Sequence, residues 1–291
     1  MDKLIVILGP TASGKSALAV HLAKKFNGEI VSADSRQVYK GLDIGSGKIT
    51  KKEMMGVPHH LLDIANPKRK FTVAQFQKIA QKTIPKIHAR GRVPFLVGGT
   101  GFYIEAVVEN LSLPEVKPSR ALRARLSKKS AAQLFAMLKK LDPARAKTID
   151  AKNPHRLIRA IEIVKLTSKP VPSKKSHQSF DVLEISIRKS PEELKKAIHK
   201  RLLKRLPGMI VEVKKLRRGG LSWKRLEELG LEYKYTAQYL QGKLIQEEMI
   251  AKIQKESEKF VKRQMTWFKR DKRIHWIKNK VEAEKLIKKF L

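Results

Sequence analysis

Residues 4–16 of this 291-residue chain, LIVILGPTASGKS, decide its fold class. The first five residues are an apolar run of strand length, and the rest match the pattern G-x-x-x-x-G-K-S in full. Glycines let the backbone curl so that successive N–H groups point at an anion, and the next helix brings its positive dipole end there. A glycine turn that binds nothing would not explain the strand, lysine and hydroxyl together. The stretch predicts a site for a di- or triphosphate.

The charge balance of the whole chain is strongly basic. Lys and Arg total 64 against 27 Asp and Glu, which gives a formal net charge of +37. An excess of this size indicates a polyanionic partner, with nucleic acid first. The alternative is a charge-rich surface that serves solubility or an unusual habitat, because the basic residues are spread widely along the chain.

The absence of cysteine excludes several classes of site. It removes disulfides, iron–sulfur clusters, thiol nucleophiles and cysteine-based zinc fingers, and it fits a cytoplasmic location. No apolar stretch approaches the roughly 18–20 residues that a membrane span needs. Residues 1–8 faintly resemble a signal peptide, but they lead directly into the phosphate loop and so belong to the mature structure. We therefore expect no membrane partner.

Strands and helices alternate after the loop. The pattern predicts a helix at 17–26, a strand at 29–33, a strand candidate at 58–64, a long helix at 71–90 and a buried strand at 93–97. Ligands of such sheets bind at the carboxyl ends of strands, where Asp34 follows the second strand. Asp34 is thus a candidate for chemistry, with a helix N-cap or turn role as the equal alternative. The pair His59-His60 lacks the spacing of a metal site, so we do not favour one there.

The end of the strand at 93–97 discriminates between kinds of phosphate-loop protein. In a phosphate-loop NTPase such a strand commonly ends in an acidic residue that helps to hold Mg²⁺. Here it ends in Gly98, Gly99 and Thr100. This weakens an ATPase interpretation, although Asp34 or Asp63 remains a candidate for the missing carboxylate.

The middle of the chain has a different character. Two proline-containing linkers, at 113–119 and 170–173, flank a stretch that predicts only helices, and an alternating strand at 182–187 then resumes the sheet. We predict an α/β fold with a P-loop NTPase-like parallel sheet core at residues 1–110 and 179–291. An all-helical domain at residues 111–178 is inserted in it, and the C-terminal part of the core is helical.

Aromatic residues are interleaved with basic ones from residue 216 to the end. Such a pattern suits RNA, because single-stranded bases stack on rings and arginines. The alternative is a helical core with a solvated basic face. The aromatic residues are Trp223, Tyr233, Tyr235, Tyr239, Phe260, Trp267, Phe268 and Trp276.

Six motifs, taken together, resemble one known family. They are GPTASGKS at 9–16, DSRQVY at 34–39, PHHL at 58–61, VGGTGFY at 97–103, NPHRLIRA at 153–160 and KRQMTWF at 262–268. Many families share the phosphate loop, whereas all six motifs in this order are similar to tRNA dimethylallyltransferase, also called tRNA isopentenyltransferase, in its bacterial form. The segment 230–234, GLEYK, departs from the Gly-Tyr-Lys of many members and weakens a tRNA role for Tyr233.

The resemblance implies a prenyl transfer. The dimethylallyl group of dimethylallyl diphosphate passes to N6 of the adenosine 3′-adjacent to the anticodon, in tRNAs that read codons starting with U, and pyrophosphate leaves. A phosphate-loop kinase or RNA-dependent ATPase is the alternative. An enzyme that prenylates free adenine nucleotides and a non-enzymatic RNA-binding sensor are further rivals. The implied partners are the tRNA anticodon stem–loop and the prenyl donor, with Mg²⁺ as cofactor, and we expect a monomer.

The resemblance also implies roles for residues at matching positions. Asp34 is the general base, Thr100 hydrogen-bonds near the reacting atoms, and Lys15 and Arg201 stabilise the leaving pyrophosphate, with Arg205 as the fallback for Arg201. Ser16 holds the metal. The diphosphate-binding residues are Gly9, Pro10, Thr11, Ala12, Ser13, Gly14, Lys15 and Ser16. The tRNA-binding residues are Asp34, Ser35, Arg36, Gln37, Thr100, Arg123, His155, Arg156, Leu157, Ile158, Arg159, Arg263 and Gln264.

Overall fold

The computed structural model describes residues 1–114, 116–172 and 179–291, and these contain one sheet and thirteen helices. The strands are β1 (Asp2–Leu8), β2 (Gly28–Ser32), β3 (His59–His60), β4 (Val93–Gly98), β5 (Phe180–Ile187) and β6 (His275–Ile277). The helices are α1 (Lys15–Lys25), α2 (Lys51–Met54), α3 (Val73–His88), α4 (Gly101–Val108), α5 (Arg120–Leu126), α6 (Ala131–Leu141), α7 (Pro143–Ala146), α8 (Pro154–Thr167), α9 (Pro191–Arg218), α10 (Trp223–Glu228), α11 (Leu231–Leu240), α12 (Gln246–Phe268) and α13 (Lys280–Phe290).

The sheet is parallel throughout, as predicted, with the order β3-β2-β4-β1-β5-β6. The phosphate-loop strand β1 lies near its centre, where Ile5 pairs with Phe95 of β4 on one side and Leu183 of β5 on the other. Strand β4 separates β1 from β2. The loops that follow β1 and β2 therefore lie on either side of the end of β4.

Both faces of β1 are buried, as its continuous apolar run predicts. Leu4, Val6 and Leu8 belong to one core cluster, and Ile5 and Ile7 belong to a second on the opposite face. The first cluster includes side chains of α3, α4 and α11, and the second includes side chains of α1 and α13. Helices on both faces thus hold the loop-bearing end of the central strand in place.

The structure differs from the sequence prediction at three elements. β3 is shortened to two residues because Leu61 and Asp63 adopt left-handed backbone angles (φ of 63° and 55°) that an extended strand excludes. α3 begins after Thr72, whose hydroxyl accepts a hydrogen bond from the Gln75 backbone N–H at 3.3 Å in a capping box. The C-terminal part, predicted to be wholly helical, contains the edge strand β6, which is too short to show a strand periodicity.

The chain divides into two compact units. One comprises Met1–Val108 with Gln178–Leu291, and the other is Glu109–His177. The core of the second unit includes Leu122, Leu134, Leu138 and Leu157. The first predicted linker contains position 115 and the second contains position 173, and both positions lie outside the described part of the chain, as do positions 174–178. Across the described ranges, no helix has both the length and the apolar character that crossing a membrane demands.

Candidate active site

The phosphate loop connects β1 to α1 through a curled backbone. Gly9 and Gly14 have positive φ angles of 143° and 88°, and Ala12 between them also has a positive φ. A Cβ on Gly9 would lie 3.0 Å from the Ser186 hydroxyl, so both the backbone angle and the close packing require glycine there. The loop therefore brings the chain into the first turn of α1 at Lys15, the geometry of an anion-binding helix terminus.

Three cationic side chains surround one side of this loop. The Lys15 ammonium donates to the Pro10 carbonyl at 3.2 Å, and the Arg201 guanidinium donates to the Thr11 hydroxyl at 2.5 Å. Burial lowers the pKa of Lys15 to about 8, Asp34 opposes this shift and Arg201 adds to it. Burial likewise lowers the pKa of Arg201 and of Arg205. Clustered, desolvated cations of this kind favour an anionic ligand.

A cavity of about 520 Å³ opens beside the loop and has two chemically different walls. Its polar wall includes Lys15, Ser16, Arg201 and Arg205, with Glu53 as the carboxylate of the lining. Its apolar side chains are Ala12, Ala17, Val20, Ile49, Met55 and Ala197. The cavity thus suits a ligand with a charged phosphate end and a small apolar group.

Asp34 follows β2 and combines the two roles that the sequence left open. Its Oδ1 accepts the backbone N–H groups of Arg36 at 2.8 Å and Gln37 at 3.2 Å, which holds the turn. Its Oδ2 has no hydrogen-bond partner among the residues that the structure describes. Its carboxylate is close enough to Lys15 and Arg201 to influence the pKa of each. One oxygen therefore organises the loop, and the other is available to a substrate.

Thr100 is joined to the Asp34 loop. Its hydroxyl accepts the Ser35 backbone N–H at 3.1 Å, and its own N–H donates to the Ala33 carbonyl at 3.4 Å. Two further residues of the Asp34 loop make contacts away from Thr100. The Arg36 guanidinium donates to the Glu228 carbonyl at 3.2 Å, and the Gln37 amide donates to the Gly47 carbonyl at 3.3 Å. The structure thus brings the motifs at 34–39 and 97–103 into direct contact.

The other polar candidates from the sequence have partners elsewhere. Asp63, considered as a substitute for the missing NTPase carboxylate, pairs with Lys48 at 2.6 Å and is absent from the cavity lining. His60 contacts the Glu29 carboxylate at 2.6 Å, and His59 contacts the Val57 carbonyl at 2.8 Å. Among the described residues, no group of three or more histidines and carboxylates is arranged to hold a metal ion. These side chains are therefore accounted for by contacts that stabilise the sheet and loops.

Glu212, a buried residue that the sequence did not single out, shapes the cavity wall together with Tyr233. The Glu212 carboxylate accepts the backbone N–H groups of Asp43, Ile44 and Gly45 at 2.6–3.1 Å and the Tyr233 hydroxyl at 2.7 Å. Tyr233 in turn accepts the N–H of Ser46 at 3.0 Å. Together they fix the loop that places Gly47 in the cavity lining. The sequence signal that could have identified Glu212 is its position as a lone acidic residue in the second half of the mostly basic helix α9.

Glu232 is a second carboxylate close to the cationic wall. It lines a small cavity of about 20 Å³ together with Arg201 and Arg205. Burial raises the pKa of Glu232, and the two nearby guanidinium groups oppose this shift. The segment GLEYK, noted in the sequence for its departure from the family pattern, therefore supplies a half-buried carboxylate and a buried tyrosine beside the site.

Most of the C-terminal aromatic residues belong to the protein core. Tyr233 and Phe268 are buried in the first core cluster, against which Trp223, Trp267 and Trp276 pack. Tyr235 and Tyr239 pack against a smaller cluster, whereas Phe260 is exposed and lies under the Arg263 guanidinium at 5.8 Å. For most of these rings the alternative of a helical core with a basic face is the better description.

The second unit places its predicted tRNA-binding residues in two environments. His155 and Arg156 are exposed in the first turn of α8, whereas Leu157 is 0% exposed and Ile158 packs against the same core. Arg123 and Arg159 both bind the fully buried Glu162 carboxylate, through contacts of 2.6–2.8 Å. The arginines and the Ser119 backbone N–H hold the pKa of Glu162 below its ordinary value although burial raises it.

Arg123→Ala is expected to destabilise the helical unit. It leaves the Glu162 carboxylate with one guanidinium instead of two, and because Arg123 is partly exposed we expect a loss of about 1–2 kcal/mol. Arg125→Ala, which removes the same charge from an exposed position on α5, should change stability by less than about 0.5 kcal/mol. Urea denaturation of both variants measures the difference. Equal stability of the two would contradict a structural role for Arg123.

A glycine-rich loop on the central strand of a parallel sheet, with half-buried cations beside a half-apolar cavity, defines a phosphate-loop α/β protein whose cavity suits a phosphorylated organic ligand. The model of the family described as IPP transferase matches residues 37–271. The tRNA dimethylallyltransferase of Carboxydothermus hydrogenoformans is 40% identical over 301 residues, with coverage of 100% of this chain and 96% of that relative. This chain therefore belongs to the IPP transferase family, which confirms the resemblance carried by the six motifs.

Solved structures agree with this assignment. The tRNA isopentenylpyrophosphate transferase of Bacillus halodurans has a TM-score of 0.72 and 39% identity, with 96% of this chain and 90% of that chain covered. A eukaryotic dimethylallyltransferase, described as acting on tRNA, has a TM-score of 0.78 and 29% identity, with 92% of this chain and 70% of that chain covered. The predicted phosphate-loop α/β fold is thus confirmed.

Proposed function

We propose that this protein is a tRNA dimethylallyltransferase. It transfers the dimethylallyl group of dimethylallyl diphosphate to N6 of the adenosine 3′-adjacent to the anticodon, in tRNAs that read codons starting with U, and releases pyrophosphate. The observation that carries the proposal is the cavity in which Lys15, Arg201 and Arg205 face an apolar wall, with Asp34 nearby. The names of the matching relatives support it. None of the relatives or structures described above is named as a kinase or an ATPase.

Stabilisation of the leaving group is the role of the cationic wall. The N6 lone pair attacks the allylic carbon, and the electrons of the breaking carbon–oxygen bond pass to the diphosphate oxygen. Lys15, Arg201 and the N–H groups at the start of α1 then stabilise the charge that develops on pyrophosphate. Because these groups are already half-buried and oriented by their contacts with Pro10 and Thr11, little reorganisation is needed in the transition state.

Proton removal from the acceptor is the role of Asp34. The exocyclic amine of adenine is a weak nucleophile, because its lone pair is delocalised into the ring. The free Oδ2 of Asp34 accepts the N6 proton while Oδ1 holds the loop. Thr100 keeps Ser35 next to this carboxylate and places a hydroxyl beside the acceptor. The adenosine must leave the stacked anticodon loop to reach this site.

Mg²⁺ is the proposed cofactor. Ser16 lies in the first turn of α1 and in the same cavity wall as Lys15, which is where a phosphate-loop hydroxyl contacts a metal. Mg²⁺ commonly binds through few protein groups plus substrate phosphates, so a site without a carboxylate cluster fits this ion. When bound, Mg²⁺ would neutralise charge on the diphosphate.

The tRNA anticodon stem–loop is the proposed partner. The net charge of +37 favours a polyanion, and the exposed His155, Arg156 and Arg263 are candidates for phosphate contacts. We propose that the protein acts as a monomer in the cytoplasm, where its tRNA substrates are found.

Direct transfer of a label tests the function. The protein is incubated with labelled dimethylallyl diphosphate, Mg²⁺ and an unmodified anticodon stem–loop, either with adenosine or with guanosine 3′ to the anticodon. We expect label only in the adenosine RNA, and none in free adenosine monophosphate offered at the same concentration. Hydrolysis of ATP without any transfer of label would overturn the proposal in favour of an ATPase, and label in the free nucleotide alone would identify a different prenyltransferase.

A further inference from the structure

Gln264 connects the two halves of the candidate active site. It lies on α12, and its side chain is only 6% exposed between the phosphate loop and the segment that follows β4. Its Oε1 accepts the backbone N–H of Thr11 at 2.9 Å, and its Nε2 donates to the Gly99 carbonyl at 2.7 Å. A neutral amide offers both an acceptor and a donor at one position, whereas an ionised carboxylate offers acceptors only.

Each end of this bridge leads to a residue of the proposed reaction. At the end of the bridge near the diphosphate of the prenyl donor, the Thr11 hydroxyl accepts a hydrogen bond from the Arg201 guanidinium at 2.5 Å. At the end near the adenosine, Gly99 precedes Thr100, whose hydroxyl accepts a hydrogen bond from the Ser35 N–H at 3.1 Å. Hydrogen bonds and short chain segments thus connect the leaving-group arginine to the loop of the general base through the Gln264 amide.

The packing around the bridge leaves little freedom. A Cβ on Gly99 would lie 2.6 Å from the Gln264 Nε2, which is closer than any side chain can approach without displacing it. The backbone of this segment therefore approaches the amide as closely as a glycine allows, and Gln264 adds a side-chain link to the phosphate loop beyond the sheet pairing of Leu8 with Gly98.

We propose that Gln264 is a positioning residue. It holds the phosphate loop (residues 9–16) at a fixed position relative to residues 99 and 100, which contact the loop that carries the general base Asp34. This inference rests on the proposed prenyl transfer. The sequence predicts Gln264 as a tRNA contact, but both ends of its amide are engaged within the protein, whereas the neighbouring Arg263 is exposed. Gln264 therefore acts on the diphosphate through Thr11 and on the acceptor through Gly99.

Two substitutions separate these roles. Gln264→Met keeps the length of the side chain and removes both hydrogen bonds, and Gln246→Met is the matched control at an exposed position on the same helix. Gln264→Glu keeps the acceptor for Thr11 and loses the donor to Gly99 while its carboxylate is ionised. If circular dichroism shows that Gln264→Met does not fold, Gln264→Glu alone is used for the test.

The measurements are calorimetric binding of inorganic pyrophosphate, binding of the anticodon stem–loop RNA, and kcat. For Gln264→Met we expect pyrophosphate affinity to fall about tenfold and kcat to fall by on the order of 100-fold, with RNA affinity unchanged. In Gln264→Glu the Thr11 contact is kept, so pyrophosphate affinity should stay near that of wild type, whereas kcat relative to wild type should be reduced and should recover as the pH falls and the carboxyl gains a proton to donate to Gly99. Gln264→Met should show no such recovery.

Other outcomes overturn the inference. A loss of RNA affinity with pyrophosphate binding unchanged would make Gln264 a tRNA contact, and variants equal to wild type in every measurement would leave it no role in the site. The proposed function fails separately: wild-type protein that binds pyrophosphate but transfers no prenyl group would refute it. A tenfold difference in pyrophosphate binding between wild type and Gln264→Met would still show the effect on the phosphate loop.

Discussion

Asp34→Asn is expected to lose most prenyl transfer while it retains the RNA. The amide still accepts the Arg36 and Gln37 N–H groups through Oδ1, so the loop keeps its shape, but the group can no longer take the N6 proton. General bases typically contribute about 10²–10⁴-fold, and we expect kcat to fall by this factor. Single-turnover transfer to the anticodon stem–loop measures the rate, and fluorescence anisotropy measures binding.

Two controls separate chemistry from structure at Asp34. Asp34→Ala removes both the base and the loop cap, so it should lose RNA affinity as well as rate. Asp181→Asn makes the same change of charge at an exposed position on β5 and should leave both properties unchanged. If Asp34→Asn weakened RNA binding as much as turnover, Asp34 would be a binding or structural residue instead of the base.

Lys15→Met is expected to have the second large effect. It keeps the length of the side chain and removes the ammonium from the polar wall of the cavity, beside the point where pyrophosphate charge develops. Loss of one oriented donor of this kind costs about 10²–10³-fold in kcat, and pyrophosphate binding should weaken in parallel. Lys24→Met, at an exposed position on the same helix, is the control that should change neither value.

The pH dependence gives an independent test of Lys15. Burial lowers the pKa of Lys15 in the folded protein to about 8 from its ordinary value of 10.5, so the ammonium loses its proton as the pH rises through 8. Between pH 8 and 10.5 the unfolded chain binds more protons at this group, and its contribution makes the folded state more stable as the pH rises. Denaturant midpoints measured across this window should rise less in Lys15→Met than in wild type. A rise of the same size in both would contradict the lowered pKa.

Lys15 should also impose a pH limit on ligand binding. Pyrophosphate binds the charged form, so affinity should fall above pH 8 in wild type, and Lys15 should take up a proton when the ligand binds there. Calorimetry in two buffers of different ionisation enthalpy measures this uptake, and Lys15→Met should lack the component that titrates near pH 8.

Local patterns predicted the elements that depend on neighbouring residues. The apolar run before Gly9 predicted a buried strand, and the loop pattern predicted the curled backbone that leads into a helix at Lys15, because both follow from contiguous residues and backbone geometry. Motif order identified the family and the α/β class. Local patterns could not reveal β6, since three residues carry no periodicity, nor the shortening of β3 by two left-handed residues.

The structure adds contacts that the sequence did not indicate to several side chains predicted to bind RNA. The family resemblance implies RNA contacts for Arg123 and Arg159, and both arginines bind a buried carboxylate that no sequence pattern marks. Aromatic rings of the C-terminal part suggested base stacking, but most of them pack in the core. Residue type specifies what a side chain can bind, whereas burial and neighbours specify what it does bind.

The sequence by itself determined the phosphate loop and its charge, because the loop forms from eight consecutive residues whose backbone angles depend on local glycines, and the order of the six motifs determined the family. Only the tertiary structure decided what meets the loop. Arg201 is 190 residues from Thr11 in the sequence and donates a hydrogen bond to its hydroxyl. Gln264 is 253 residues away and accepts a hydrogen bond from the Thr11 backbone N–H. The sheet order and the packing of α9 and α12 produce these contacts, and they depend on the burial of whole helices against the sheet, which no short stretch of sequence encodes.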